Sequence, residues 1–158
     1  MSSTEKPSAY TKPALYLGAF LISLVGGILF FSAEFGWWWP GTYSWGYDFA
    51  LYGVEVPWFG KLILVLLALV YLFVAFVSLY KLYPFLKISE DSEKVLELSA
   101  IIAAIAVVGL TILVAIIFAV MVSDSNDWDF GTTFYSGLLG GIVTIVLLWF
   151  ARKIEPSK

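Results

Sequence analysis

The sequence predicts an all-α integral membrane fold, a four-transmembrane-helix bundle with a structured extracellular cap. Three observations predict it. Of the 158 residues, 61% are hydrophobic and only 13% are charged, against about 45–50% and about 25% in soluble domains. Four apolar runs are each long enough to cross ~30 Å of hydrocarbon, which takes roughly 20 residues. The basic residues fall almost entirely on one side of those runs.

The first span is expected over residues 14–33, with Pro13 in its first turn, where the missing N–H costs nothing. Its apolar core exceeds the ~7–15 residues of a signal peptide, and Ser32–Ala33–Glu34 is a poor cleavage site, so it reads as a retained span. The second span, 59–82, stops just before Pro84, as helices do before proline. The third covers 98–122 and the fourth 134–151. In the connection 83–97, Ser89 precedes Glu90, Asp91 and Glu93. Acids in a first turn favour the helix dipole, so the third helix should begin near Glu90, as a solvated, capped helix end.

Lys6, Lys12, Lys81, Lys87, Lys94, Arg152, Lys153 and Lys158 lie in the two tails or the middle connection, and only Lys61 lies on the other side. The positive-inside rule then puts both termini and segment 83–97 in the cytoplasm of a multi-pass cell-membrane protein. The outer loops are 34–58 and 123–133, and they hold Glu34, Asp48, Glu55, Asp124, Asp127 and Asp129.

The first outer loop exceeds the ~12–15 residues usual for a structureless connection. It contains Gly36–Asp48, "GWWWPGTYSWGYD". Trp37, Trp38, Trp39, Trp58 and Phe59 flank helix ends and suit an interfacial aromatic belt. Trp45, Tyr47 and Tyr52 stand farther off and suit a loop core or a contact surface. Pro40–Gly41 signals a turn, and "YDFALYGVEVPW" has strand character, so a hairpin or compact cap is expected. The contact candidates are Trp45, Tyr47, Asp48, Tyr52 and Glu55, with Asp127, Trp128 and Asp129 from the second loop. Calcium wants 6–8 oxygens. The second loop lacks EF-hand spacing, so a turn before the fourth helix is the simpler reading.

Helix packing is signalled by small residues four apart, Gly137 with Gly141 and Ser23 with Gly27, which let backbones approach. They serve packing within the bundle or a homodimer seam. The hydroxyl residues at depth are Ser23, Tyr71, Ser78, Thr111 and Thr144, and the central spans hold no ionisable group. Such residues offer little to a pump or proton-coupled transporter.

Cysteine and histidine are absent, which removes disulfides, thiolate metal sites and the usual neutral-pH base. No metal or cofactor is expected, no catalytic residue stands out, and a net charge of −3 speaks against nucleic acid. Glutamine is also absent and Asn126 is the single asparagine, which fits a thermophilic source or bilayer composition alike.

The layout of four spans, cytoplasmic ends and a Trp-rich first outer loop is similar to that of claudin-type tetraspan proteins. This loop has Ser44–Trp45–Gly46 where that family has Gly-Leu-Trp, and it lacks the family's two cysteines. The resemblance is one of layout and carries no functional residue. The functional expectation is a non-catalytic accessory subunit or scaffold, with the bilayer and a membrane protein or a second copy as partners. The alternative is a small oligomeric passive channel or transporter.

Overall fold

The computed structural model describes residues 10–39, 47–53, 56–125 and 127–154. Trp45, Glu55 and the Pro40–Gly41 turn lie outside the described residues. The chain is mostly helical, with α1 (Thr11–Ser32), β1 (Gly36–Trp39), β2 (Tyr47–Phe49), α2 (Trp58–Leu82), α3 (Glu90–Met121), β3 (Asp127–Phe130) and α4 (Thr132–Lys153).

All four helices are long and apolar enough to cross a membrane, which suggests a multi-pass membrane protein. Each packs on its sequence neighbour, and α4 closes the ring against α1. Exposed positions along the bundle are apolar, among them Leu21, Val25, Leu66, Phe73, Ile105, Ile116, Leu139 and Val146. A water-soluble protein rarely exposes so continuous an apolar surface.

The boundaries follow local chemistry. The Ser89 hydroxyl accepts a hydrogen bond from the Ser92 amide at 3.3 Å, and Glu90, Asp91 and Glu93 occupy the first turn of α3. α3 thus has 32 residues against 22 in α1 and α4. At ~1.5 Å per residue it reaches roughly 15 Å beyond them.

The small residues expected at packing seams face other helices of the same chain. A Cβ added at Gly137 would meet Thr111 of α3 and Phe30 of α1, and one at Gly141 would lie 2.6 Å from Val108. Gly27 lies against Leu72 and the Ala68 carbonyl of α2, and Ser23 is fully buried.

Around Gly137, α4 widens into a π-helical turn, Ser136–Gly140. Such a turn shifts carbonyls out of the usual ladder. Tyr71, fully buried on α2, donates its hydroxyl to the Ser136 carbonyl at 2.7 Å. Gly26 and Gly140 leave room for its ring and hydroxyl, with an added Cβ only 3.0 Å and 3.2 Å away. Ser78 bonds the Val74 carbonyl at 2.8 Å. The buried hydroxyls of Ser23, Thr111 and Thr144 have no hydrogen-bond partner among the described residues.

The cap is a three-stranded antiparallel sheet in the order β2-β1-β3. The expected hairpin pairs β1 with β2, and the second loop contributes the third strand, which turn signals alone did not suggest. The "YDFALYGVEVPW" stretch is strand only over Tyr47–Phe49. The junctions tie the sheet to the bundle. The Gly131 amide bonds the Phe35 carbonyl at 2.8 Å, the Thr133 amide bonds the Glu34 carbonyl at 3.1 Å, and the Thr133 hydroxyl reaches the Leu29 carbonyl.

Candidate functional site

Side chains alternate across a strand, so the register sorts the cap residues into two faces. β1 sets Gly36 opposite Phe49 and Phe130, Trp37 opposite Asp48 and Asp129, Trp38 opposite Tyr47 and Trp128, and Trp39 opposite Asp127.

The inner face continues the hydrophobic core of the adjoining half of the bundle, with Trp38 and Phe49 in one cluster with Phe30, Leu64, Tyr71 and Val114. Phe118, near the end of α3, is fully buried and has its ring centroid 5.5 Å from Phe49, 5.8 Å from Phe130, 5.9 Å from Trp128 and 6.1 Å from Trp38. Phe35 joins edge-on to Phe49, Phe130 and Phe134. Gly36 is required here, because a Cβ would come 2.5 Å from the Phe118 ring. Trp38 is therefore not part of an interfacial belt. It is a core residue, and the Tyr47 ring lies tilted beside it with centroids 5.4 Å apart. Trp128, one of the contact candidates, lies on this inner side by register, against Phe118, and remains 37% exposed.

The opposite face carries one cross-strand row, Asp48–Trp37–Asp129, and beside it the pair Trp39–Asp127. The three aspartates and Trp39 are exposed, and Trp37 is half-buried. Directly opposed residues lie within ~5.5 Å at Cα, so the row is a compact acidic and aromatic strip. One oxygen of Asp129 accepts the Phe130 amide at 2.7 Å. Tyr52 is exposed nearby. Loss of water around its phenol, and then the Asp48 and Glu34 carboxylates, hold its pKa above the ordinary tyrosine value. Among the described residues no three carboxylates converge tightly enough to hold a metal ion.

The structure therefore brings together Asp48, Asp127 and Asp129 of the expected contact residues. It adds Trp37 and Trp39, which sequence reasoning assigned to helix ends. The signal that could have found them is the alternation itself: four residues of strand cannot present three consecutive tryptophans to one side. Trp58 remains 77% exposed and Phe59 44% exposed at the start of α2, as a belt requires.

A second polar cluster lies at the other end of the bundle. Glu97 of α3 is only 8% exposed. It accepts the Tyr16 hydroxyl of α1 and pairs with Lys81 of α2 at 3.5 Å, and Lys81 also meets Glu93 at 3.5 Å. Nothing local in the sequence marks this cluster, since its members come from three helices. Lys153 lies 3.6 Å over the Trp149 ring at the same end.

No protein-family model matches the chain, and neither a curated protein nor a solved structure is significantly similar to it.

Proposed function

We propose that this protein is a non-catalytic membrane interaction subunit that docks a partner protein on the exposed face of its sheet. The carrying observation is the row Asp48–Trp37–Asp129 with Trp39–Asp127 alongside, held on a three-stranded sheet built from both loops. Tryptophan is among the side chains that protein interfaces use as buried anchors within a polar rim. The partner surface that complements this strip is basic, with Lys or Arg set against the aspartates and the tryptophan faces.

The sheet end is outside the cell and both termini are cytoplasmic in this reading. Its support is charge: Lys12, Lys81, Lys87, Lys94, Arg152 and Lys153 gather at the end opposite the sheet, as the positive-inside rule demands. The passive-pore alternative is the weaker reading, because Gly137 and Gly141, its expected seam, pack within the chain.

The test is extraction into mild detergent followed by native mass spectrometry. A distinct subunit should accompany the wild-type protein. The pair Trp39→Ala with Asp48→Lys, both at exposed positions, should lose that subunit while the melting temperature stays unchanged. Isolation as a lone chain, or equal recovery of the subunit by the variant, overturns the proposal.

A further inference from the structure

The exposed apolar residues of α2 include one stripe, Leu62, Leu66, Leu69, Phe73 and Phe76, at the three- and four-residue spacing of a single helix face. Tyr80 comes next at that spacing, yet it is only 2% exposed. The chain itself lies against it. The Phe85 amide bonds the Tyr83 carbonyl at 2.8 Å. This closes a γ-turn on Pro84, whose ring holds φ near the value that an inverse γ-turn needs. The turn sends the connection back along α2. The Phe85 ring stands edge-on to Tyr80 at 5.7 Å and to Phe76 at 5.8 Å, and the Tyr80 hydroxyl donates to the Leu86 carbonyl at 3.1 Å.

These contacts fix the depth of the connection. Phe76 stands more than one turn inside Lys81, so the Phe85 ring lies level with the last turns of α2 and not beyond its end. Glu93 and Glu97 of α3 both pair with Lys81, so α3 begins one to two turns farther out, at Glu90. Leu86, Lys87 and Ile88 run between those two levels. Tyr83, Phe85, Leu86 and Ile88 are all exposed. Lys87 is the one charge from residue 82 to 88, and acids begin only at Glu90.

Continuity says what covers this surface. Phe85 extends the stripe of α2 that faces hydrocarbon. The residues after it step outward as a bilayer surface does: apolar groups, then a lysine whose stem lets its ammonium reach phosphate, then acids in water. We propose that residues 83–88 form an interfacial anchor in the lipid headgroup layer, at the end of the bundle opposite the sheet. Phe85 and Leu86 sit at the acyl boundary, and the Lys87 ammonium sits on lipid phosphate. Tyr83 takes the aromatic-belt place that Trp58 and Phe59 hold at the other end. The anchor sets how deep α2 and α3 lie and leaves only the first turns of α3 in water. The inference rests on the helices being membrane spans and is independent of the partner-docking face.

The test measures depth with nitroxide labels on single cysteines, since the chain has none of its own. Leu69→Cys, Leu86→Cys and Ser92→Cys are all at exposed positions. Each full-length variant is reconstituted in vesicles of phosphatidylcholine and phosphatidylglycerol. Collisions with oxygen, which concentrates in hydrocarbon, are compared with collisions with a water-soluble nickel chelate. The Leu69 label should meet oxygen and the Ser92 label nickel. A side chain of leucine size favours apolar surroundings by about ten-fold or more. The Leu86 label should therefore meet nickel about ten-fold less often than the Ser92 label.

Equal nickel collisions at Leu86 and Ser92, with Leu69 in hydrocarbon, overturn the anchor alone, whereas Leu69 in water undoes the spans as well. Shielding of Leu86 that fades as the chain is diluted in lipid assigns the surface to a second copy. Shielding in native membranes but not in vesicles assigns it to another protein. Either result overturns the proposal.

Discussion

Phe118 is a junction between the bundle and the sheet, beside the hydrogen bonds that Thr133 and Gly131 make to the end of α1 and the start of the sheet. It ends the apolar stripe of α3 and is fully buried, with Trp38, Phe49, Trp128 and Phe130 around it. Phe118→Ala removes those ring contacts and leaves a cavity that the sheet, held by its own ladder, fills only in part. Such changes cost about 3–5 kcal/mol. At about 2–4 °C per kcal/mol for a chain of this size, the melting temperature in detergent should fall by roughly 10 °C. Gly36→Ala stresses the same contact from the other side. Its Cβ would lie 2.5 Å and 2.6 Å from the Phe118 ring and 3.0 Å from the Asp129 carbonyl, and overpacking of this kind costs about 1–3 kcal/mol. Because the ring is what the new methyl meets first, the double variant should cost less than the sum of the singles by at least ~1 kcal/mol. Thermal denaturation followed by near-ultraviolet circular dichroism measures the cycle, and limited proteolysis of the loops reports the sheet separately. Additivity within ~0.5 kcal/mol, or a drop below ~3 °C for Phe118→Ala, would refute the assignment of Phe118 as a junction.

Four further outcomes are expected. Tyr71→Phe leaves the Ser136 carbonyl at the π-helical turn without its donor and should cost about 1–3 kcal/mol, whereas Thr111→Val removes a hydroxyl that has no partner among the described residues and should leave thermal stability equal or higher. Glu97→Leu strands Lys81 and the Tyr16 hydroxyl; breaking a buried pair costs about 3–5 kcal/mol, less here because Glu93 also meets Lys81, and adding Lys81→Met should recover most of the loss in the same melting assay. Tyr52 should ionise above an ordinary tyrosine in an ultraviolet pH titration compared with Tyr52→Phe. Its pKa is raised in the folded state, so its contribution to stability is present below the unfolded value of ~10 and is lost as pH rises past it. Orientation can be read by single cysteines, since the chain has none: an impermeant thiol reagent applied to intact cells should label Ser123→Cys and not Ser92→Cys, and the reverse pattern inverts the topology.

The sequence by itself determined the four apolar helices and the start of α3. Both are local properties. Hydropathy summed over some 20 residues decides which stretch prefers hydrocarbon, and Ser89 with Glu90, Asp91 and Glu93 meets the unsatisfied amides of its own first turn. The presence of a structured cap was legible too, in a loop too long and too aromatic to lie free. What the cap is made of was not. Trp37, Trp38 and Trp39 look alike in sequence, and only pairing of β1 with both β2 and β3 turns Trp38 into the core and the other two outward. That pairing joins residues some ninety positions apart, and a strand of four residues has too little internal pattern to name its neighbours. The same limit hid the Tyr16–Glu97–Lys81 cluster and the Tyr71–Ser136 bond. Each is assembled from separate elements, and only the tertiary packing brings those elements within reach of one another.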